Sequence, residues 1–400
     1  MQTISKFKNL LIYIAALYLV VGGSFEVFSL IPTLSFVTTT IRYLNFIALL
    51  VLTLTVKVQT QTKVLPLLLC LLFYIFSSGT IFSFSVGFLD VMMEVIFLLL
   101  FIEKYEIEHK QWHLYKAFIN IMFVLALGSL VLWILGPVLG KLAPTASYYI
   151  ERGDKTKLFE NFYYICFSCH EMDFMDFFVA PNNCIFREKA FAATLFAIAL
   201  IGELFVTKRR SIIVVTIFAA AMLSTVSATS IVLGLVIIAL FMFSRSNLKI
   251  SLSHIITLIV AIVIVSILQN VMEDKLDTHS GESRLSDLTN GIAAWINHPL
   301  FGYGYNPQQV YTQYSTGYSS SISIILISGG IYLMSLYIIP LLRTLRTSFR
   351  KADSSMLCFV LSTVVMLPMN RCAFLPIVFY LLLNMFYVLP KYDYSNGKEI

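Results

Sequence analysis

Long apolar runs separated by short polar turns are the feature that most limits how this 400-residue chain can fold. Each run approaches the roughly 20 apolar residues that a helix needs to cross a bilayer. Charged residues make up 12% of the chain, about half of the roughly 25% found in soluble domains. The mean hydropathy is +0.83. The sequence therefore predicts an all-α, polytopic integral membrane helix bundle and excludes a soluble domain with a single anchor.

The apolar runs predict about twelve transmembrane helices, and the whole chain, 1–400, is expected to be a single integral membrane domain. The two adjacent short runs near 220 and 235 also fit one long kinked or re-entrant element. The predicted spans are 9–31, 35–56, 64–80, 83–102, 115–139, 189–207, 211–225, 227–243, 251–270, 321–342, 354–370 and 374–390.

The distribution of basic residues predicts the orientation of the bundle. Most of the 28 lysines and arginines fall in short segments, such as 208–210, that alternate with the two long loops. Cytoplasmic loops of membrane proteins are enriched in lysine and arginine. We therefore expect both termini in the cytoplasm, and two long external loops at about 140–188 and 271–320.

Four arginines on the predicted outer side are candidate substrate-binding residues: Arg152, Arg187, Arg284 and Arg371. The planar guanidinium group can bind phosphate oxygens with two parallel hydrogen bonds. Several arginines converging from distant loops would form a pyrophosphate site. The alternative is that they extend to lipid headgroups at the membrane surface.

Carboxylates lie close to two of these arginines in the sequence. Glu188 follows Arg187 directly, and Glu282 and Asp287 flank Arg284. A carboxylate in this position can act as a general base on a hydroxyl group. The alternative, an ion pair with the neighbouring arginine, also fits the spacing.

Five ionisable residues fall inside predicted spans or at their ends: Glu26, Arg42, Asp90, Glu94 and Glu203. Such groups are costly in hydrocarbon and are usually functional or paired. The alternative is that the predicted span boundaries are displaced by a helical turn.

The segment Cys166-Phe-Ser-Cys169-His170 matches the attachment pattern of c-type haem. The surrounding loop is too short for a cytochrome domain. Cys166, Cys169 and Cys184 share the predicted outer, oxidising face. The sequence therefore predicts a disulfide between Cys184 and either Cys166 or Cys169, and no cofactor or metal.

Several function classes are excluded because their motifs do not occur in the sequence. The chain has no Gly-rich phosphate loop followed by Lys-Ser/Thr and no His-Glu-x-x-His zinc motif. No Asp-x-Asp pair lies in a predicted cytoplasmic loop. A reaction performed by this chain is therefore expected at the outer face, without ATP.

The second long loop and the span after it carry the most specific pattern in the chain. Arg284-Leu285 is followed by Trp295, by His-Pro-Leu-Phe-Gly-Tyr-Gly at 298–304, and by a span that contains Gly-Gly at 329–330. This order resembles the signature of the O-antigen polymerase and ligase superfamily. In that family an Arg-Leu begins a short helix, a Pro-Leu-Phe-Gly-x-Gly turn follows, and a Gly-Gly span comes after the loop.

Two further segments support the resemblance. Ile-Phe-Arg-Glu-Lys at 185–189 is similar to the span entry of bacterial polysaccharide polymerases, and 223–230 is similar to their Ser/Thr-rich turn. The ligase branch shows His-Asn before the Gly-Gly span, where this chain has Tyr-Ser-Ser-Ser at 318–321. The resemblance therefore favours the Wzy-type polymerase over the O-antigen ligase. A lipid-linked oligosaccharide flippase also fits twelve spans, although no internal repeat is visible.

The resemblance implies a metal-independent, GT-C-like glycosyltransferase that uses lipid-linked sugars. It would join undecaprenyl-pyrophosphate-linked oligosaccharide repeat units into lipopolysaccharide O-antigen, capsule or exopolysaccharide at the outer face of the bacterial plasma membrane. Its partners would be this lipid-linked substrate, membrane lipids, and a chain-length regulator and flippase of the same pathway. Neither nucleic acid nor a cofactor is implied.

Roles for the candidate residues follow from that chemistry. Arg187 and Arg284 would bind the leaving pyrophosphate, with Arg152 and Arg371 as further ligands. Glu188 or Glu282 would accept the proton of the acceptor hydroxyl, and Arg284 would stabilise the developing charge. Tyrosines of the second loop could stack on sugar rings or form an interfacial aromatic belt. The first of these roles is assigned to Tyr303 and Tyr305, and the neighbouring tyrosines are Tyr311, Tyr314 and Tyr318.

Overall fold

The computed structural model of the chain describes residues 2–21, 35–55, 96–98, 100–102, 112–152, 155–171, 180–207, 211–245, 280–304, 308–314, 320–369 and 372–387. These residues are mostly helical. The helices are α1 (Gln2–Val21), α2 (Ser35–Thr55), α3 (His113–Trp133), α4 (Lys189–Phe205), α5 (Ile212–Ser224), α6 (Ala228–Arg245), α7 (Ser280–Asn297), α8 (Gln308–Gln313), α9 (Ser321–Lys351), α10 (Ser354–Met369) and α11 (Pro376–Tyr387). Helix α3 continues into a π-helical turn, Ile134–Val138. Three strands follow it, β1 (Ala146–Arg152), β2 (Lys155–Phe162) and β3 (Cys166–Glu171).

Helices occupy nine of the twelve predicted spans, namely those of α1 to α6 and α9 to α11. The predicted spans 64–80 and 251–270, and most of 83–102, lie outside the described residues. Among the described residues, two helices, His113–Val138 and Ser321–Lys351, are long and apolar enough to cross a membrane, and shorter apolar helices accompany them. The predominantly helical fold is thus confirmed, whereas a bundle of twelve membrane-crossing helices stays a prediction.

The chain divides into two compact units. One contains Met1–Ile12, Phe46–His113 and Met242–Ile400, and the other contains Tyr13–Asn45 and Leu114–Phe241. We call them the α9 unit and the sheet unit, after the element that organises each.

In the sheet unit, α3 packs closely against α4. The Tyr115 hydroxyl donates to the Ile198 carbonyl oxygen at 2.7 Å. A Cβ atom at Gly202 would lie 2.6 Å from the Tyr115 ring, so a residue without a side chain permits this approach. Glu203, one of the ionisable residues inside a predicted span, is buried, and its carboxylate accepts from the Thr207 hydroxyl at 2.7 Å and the Ser211 amide at 3.0 Å. Glu203 therefore links the end of α4 to the residue before α5 by hydrogen bonds.

The first long loop is not irregular, which corrects the all-helical expectation. Its strands form an antiparallel sheet in the order β1-β2-β3, with Arg152 opposite Lys155 and Phe162 opposite Cys166. Runs of Tyr, Ile, Thr and Phe have high strand propensity, and Gly153-Asp154 between them is a hairpin turn signal. The sheet packs on the end of α3, where a Cβ atom at Gly136 would lie 2.5 Å from the Phe162 ring.

The two short spans of the sheet unit are separate helices, α5 and α6, joined by three residues. The hydroxyls of this Ser/Thr-rich connection bond within it. Thr225 Oγ1 donates to the Met222 carbonyl at 2.7 Å, and Ser230 Oγ donates to the Ser227 carbonyl at 2.7 Å. The hydroxyls of Thr225 and Ser230 are thus satisfied locally, as buried hydroxyls must be.

In the α9 unit, α10 and α11 pack along α9. The Tyr337 hydroxyl donates to the Ala373 carbonyl at 2.6 Å, and Thr344 Oγ1 donates to the Met385 carbonyl at 2.8 Å. At the basic end of α9, the Arg343 guanidinium lies 4.5 Å above the Phe386 ring. Helix α9 is interrupted at Gly330, which has φ 57° and ψ −154°. This interruption positions the candidate site.

Candidate active site

The turn at 298–304, which we call the docked turn, fits against the interruption of α9. On one side, the amides of Tyr303 and Gly304 donate to the carbonyls of Ile327 at 2.7 Å and Ser328 at 3.0 Å. On the other side, the Ile331 amide donates to the Pro299 carbonyl at 2.9 Å. The Tyr332 amide donates to the Leu300 carbonyl at 3.0 Å. Backbone groups next to a helix break need partners, and here the turn supplies four.

Two glycines make this fit possible. The conformation of Gly330 is one that only glycine adopts readily. A Cβ atom there would lie 2.5 Å from the Pro299 carbonyl oxygen. Gly302 has φ 64°, and a Cβ atom on it would lie 2.4 Å from the Ile327 carbonyl oxygen. The Gly-x-Gly turn and the Gly-Gly span of the sequence motif are therefore two halves of one interlocking contact.

The docked turn sits over a small apolar core formed by Ala294, Val310, Tyr311 and Ile327. This core joins α7, α8 and α9. Helix α7 also approaches α9 directly, because a Cβ atom at Gly291 would lie 2.7 Å from Cβ of Ser323. The second long loop therefore holds a compact structure built on α9.

Arg187 and Glu188 lie at the end of the segment 180–188, which we call the entry loop. Both side chains are partly exposed. Glu188 is the N-cap residue of α4, and its carbonyl accepts from the amides of Phe191 and Ala192, each at 3.1 Å. The Arg187 carbonyl accepts from Asn183 Nδ2 at 3.5 Å. The predicted Arg-Glu pair thus stands at the start of a buried helix.

The entry loop is held by backbone hydrogen bonds to Phe167 and Ser224 and by the side chain of Asn182. Its Nδ2 donates to Ser129 Oγ of α3 at 3.2 Å and to Ser224 Oγ of α5 at 3.0 Å. Its Oδ1 accepts from the Cys184 amide at 2.9 Å and from Cys166 Sγ of β3 at 3.6 Å. Asn182 is fully buried. One amide therefore ties two helices and a strand to the loop that carries Arg187 and Glu188.

The predicted disulfide at Cys184 is wrong, because Cys166 and Cys184 are both free thiols. Cys166 Sγ points at Asn182 Oδ1, and Cys184 Sγ lies 3.9 Å from the Leu125 carbonyl oxygen. Burial raises the pKa of Cys184 to about 12. Burial and the nearby Cys184 also raise the pKa of Cys166. Cys169 and His170 also lie on β3, but their side chains are outside the described part of the chain.

The remaining predicted site residues are only partly described. Glu282 and Arg284 lie in the first two turns of α7 and Arg152 ends β1, but their side chains are outside the described part. Arg371 and Tyr305 lie outside it altogether, as do Glu26, Asp90 and Glu94. In α2 the backbone of Arg42 is described and its side chain is not. Arg187 belongs to the sheet unit and Arg284 to the α9 unit, so a joint pyrophosphate site stays a prediction.

Asp287, the third predicted carboxylate, is buried in α7 with 6% of its surface exposed. It lies on the same helix as Arg284, one turn further along, and on the side of Gly291 and Ala294 that packs inward. Within the described residues, no group of three or more His, Cys, Asp or Glu side chains is placed to hold a metal ion.

Comparison with known proteins gives no relative of this chain. No family model, no curated protein and no solved structure matches it. The resemblance to the polymerase and ligase superfamily therefore stands on the motif residues alone.

Two groups of residues in and beside the candidate site were not predicted from the sequence. Asn182 has no motif that marks it, although two adjacent asparagines in an otherwise apolar segment are unusual enough to suggest a buried polar contact. Asn297 and Tyr314 were also missed as a pair. The Asn297 Nδ2 donates to the Tyr314 hydroxyl at 2.6 Å, a contact between α7 and the residue after α8 that the sequence does not reveal.

Proposed function

We propose that this chain is a Wzy-type polysaccharide polymerase, an integral membrane enzyme of the plasma membrane. It joins undecaprenyl-pyrophosphate-linked repeat units at the outer face. The observation that carries the proposal is the docked turn. The motif glycines, Gly302 and Gly330, are far apart in sequence and lie in the same contact. A Cβ atom at either position would clash with the backbone of the facing segment. The motif order that resembles the superfamily thus has a physical reason in this chain.

The apolar helices support the proposal at a coarser level. Two helices have the length and composition needed to cross a bilayer. A GT-C-like bundle of about twelve spans, with both termini in the cytoplasm, extends that observation to the segments beyond the described residues. A lipid carrier with a polyprenyl chain requires an enzyme embedded in the bilayer.

The break in α9 also favours an enzyme over a flippase. Interrupted helices in transporters present their free ends to substrate or coupling ions. Here four backbone groups beside the break bond to the docked turn instead. The interruption serves to anchor a loop, which suits an enzyme that must hold its external loop in a fixed position.

In the proposed reaction, the acceptor sugar's hydroxyl oxygen attacks C1 of the donor sugar. The C1–O bond to the pyrophosphate breaks, and the lipid pyrophosphate leaves with the electron pair. Arg187 and Arg284 neutralise the leaving group without a metal, and Glu188 or Glu282 accepts the hydroxyl proton. Arg152, Arg371, Tyr303 and Tyr305 complete the proposed substrate contacts.

Deletion of the gene, followed by gel analysis of the polysaccharide, tests the proposal. We expect the ladder to collapse to a single repeat linked to its anchor. An unchanged ladder would refute the polymerase. Accumulation of repeats on the cytoplasmic side would indicate a flippase, and a full-length polymer that remains on its carrier would indicate a ligase.

Complementation of that strain with variants tests the site. Lysine keeps the charge of arginine but loses its two-pronged hydrogen bonding. A charge-assisted hydrogen bond contributes about 1.5–3 kcal/mol, so Arg187→Lys and Arg284→Lys should each reduce polymerisation about ten- to a hundredfold. Arg343→Lys, at the opposite end of α9, is the matched control and should retain the ladder. Wild-type ladders from both site variants, at normal membrane levels, would remove both arginines from the site. Glu188→Gln and Glu282→Gln identify the base by the same readout.

A further inference from the structure

A polar and aromatic cluster lies on and beside the docked turn. Asn297 Nδ2 donates to the Tyr314 hydroxyl at 2.6 Å, and the Tyr303 hydroxyl lies beside both Tyr314 and Asn297. The His298 ring packs against the Tyr303 ring with centroids 4.2 Å apart and an interplanar angle of 65°. Asn297, His298, Tyr303 and Tyr314 thus form one connected group.

This cluster has one anchored side and one open side. Tyr303 and Tyr314 pack against the buried core of the docked turn, and the Tyr303 amide bonds to Ile327 of α9. Asn297 and His298 are exposed. The cluster is therefore held in place on the side of the apolar core, and a ligand can reach it on the exposed side.

The hydrogen bonds within the cluster leave capacity for a ligand. Asn297 Nδ2 donates to Tyr314 and, at 3.5 Å, to the Ala293 carbonyl. No donor among the described residues reaches its Oδ1. Each phenol carries one proton. A hydrogen bond between the two phenols would use one of the two protons, so at least one O–H remains to donate. The cluster thus offers an acceptor and a donor close together beside an aromatic face.

An interfacial aromatic belt does not explain this arrangement. Belt tyrosines reach the headgroup region independently of one another. Here two phenols and an amide restrain each other, and the turn below them is fixed by backbone bonds. Restraining side chains in advance reduces the entropy cost of binding, and sites built on such rigid supports bind with defined geometry.

We propose that Asn297, Tyr303 and Tyr314 form a saccharide-binding subsite. A sugar ring packs its apolar face on the aromatic pair of His298 and Tyr303. Neighbouring hydroxyls of that sugar donate to Asn297 Oδ1 and accept from the remaining phenol. The choice of saccharide, the oligosaccharide of the lipid-linked repeat, rests on the proposed function. Asn297 and Tyr314 are added here to the residues that the sequence motif indicated.

The test measures binding without turnover. The probe is the repeat-unit oligosaccharide, released by mild acid from the lipid carrier of the deletion strain and titrated onto the full-length protein in lipid nanodiscs. We expect saturable binding to the wild type and about tenfold weaker binding for Tyr314→Phe and for Asn297→Ala, because each change removes about one hydrogen bond. Tyr149→Phe, an exposed tyrosine of β1, is the control and should bind as the wild type does. Thermal unfolding midpoints equal to that of the wild type show that the variants are folded.

Three outcomes would overturn the subsite: no binding of the oligosaccharide to the wild type, equal binding by the variants, or displacement of the oligosaccharide by undecaprenyl pyrophosphate that carries no sugar. The last would assign the cluster to the carrier's headgroup. The polysaccharide ladder decides the proposed function separately. An absent ladder in the deletion strain together with no oligosaccharide binding would reject the subsite alone, whereas an intact ladder would reject the polymerase and leave the binding result to decide on the subsite.

Discussion

The docked turn and the entry loop do the same task by different means. Each holds a segment before an apolar helix, and each carries or adjoins proposed site residues. The docked turn is held by four backbone hydrogen bonds across the break of α9. The entry loop is held by backbone hydrogen bonds to Phe167 of β3 and Ser224 of α5, and also by the side chain of the buried Asn182. The docked turn requires residues that lack a side chain, whereas the entry loop adds one specific buried side chain to its backbone hydrogen bonds.

This difference predicts how each region responds to substitution. In the docked turn, a methyl group added to a glycine should lower the free energy of unfolding strongly, whereas loss of a side-chain hydrogen bond should change it little. In the entry loop, loss of the side-chain hydrogen bonds of Asn182 should have the larger effect on the free energy of unfolding. Four predictions test that contrast. The free energies of unfolding are compared between purified variants in detergent, by titration with a denaturing surfactant.

The largest effect is expected for Gly302→Ala and Gly330→Ala. Each new Cβ atom would lie within 2.6 Å of backbone atoms, so the turn must leave α9 and lose several hydrogen bonds. With a positive φ penalty of about 1–2 kcal/mol and net hydrogen bonds of about 1 kcal/mol each, we expect a loss of about 4 kcal/mol.

Gly140→Ala provides a matched control. Gly140 has φ 61°, and no atom would lie within 4 Å of a Cβ atom added to it. It should lose only the conformational part, about 1 kcal/mol. Equal effects at Gly302 and Gly140 would show that the turn is not docked through this contact.

The second effect concerns the entry loop. Asn182→Ala removes the partner of the Cys184 amide and one of the hydrogen bonds of Ser129 and of Ser224 in a fully buried place. The two serine hydroxyls still donate to backbone carbonyls of their own helices. Unsatisfied buried polar groups cost about 1–3 kcal/mol each. Partial rearrangement of the two serine hydroxyls reduces the sum, and we expect a loss of about 3 kcal/mol.

The neighbouring Asn183→Ala is the control, because its one side-chain bond is long, 3.5 Å to the Arg187 carbonyl. We expect less than about 1 kcal/mol for it. If both asparagines gave the same loss, Asn182 would not be the residue that fixes the loop.

The same contrast explains what could be predicted from the sequence. The backbone-held turn leaves a visible trace, since Gly302, Gly304 and Gly330 stand at fixed places in a recognisable motif. The helices of nine predicted spans were equally visible, because uninterrupted apolar runs determine them. These parts of the fold follow from local composition.

The side-chain contacts of the entry loop leave no such motif in the sequence. Any buried polar contact of Asn182 depends on Ser129 and Ser224, which are distant in sequence, so no local pattern specifies it. The β-sheet was missed for a different reason. The loop was treated as a connection between spans, although Gly153-Asp154 between strand-forming runs was a sufficient signal for a hairpin. The disulfide prediction failed because sharing a compartment does not bring two sulfur atoms together with the required geometry.

The third prediction uses the thiols of the entry loop. The pKa of Cys184 is about 12 in the folded chain, against about 8.5 for a free cysteine. Because the folded pKa is the higher one, the stabilisation is complete below pH 8.5 and is lost as the pH rises from there toward 12. At one pH unit above 8.5, we expect a loss of about 1.4 kcal/mol from this group.

Cys184→Ala should remove its part of this alkaline loss, and the remaining part belongs to Cys166. Alkylation under native conditions gives an independent measurement, because buried and protonated thiols react slowly. Rapid modification of Cys184 at pH 8, or a disulfide detected by mass spectrometry without reduction, would contradict the structure of the entry loop.

The smallest effect is expected for a side-chain bond of the docked turn. Trp295 Nε1 donates to the Pro299 carbonyl oxygen at 2.9 Å, and that same oxygen also accepts from the Ile331 amide at 2.9 Å. Trp295→Phe would remove the indole bond and leave the backbone bond, so the Pro299 carbonyl would keep a partner. Because no buried group loses its only partner, we expect a loss of about 0.5 kcal/mol and an unchanged polysaccharide ladder. A loss comparable to that of Asn182→Ala would mean that the turn, like the entry loop, is held by a side chain, and the contrast between the two regions would disappear.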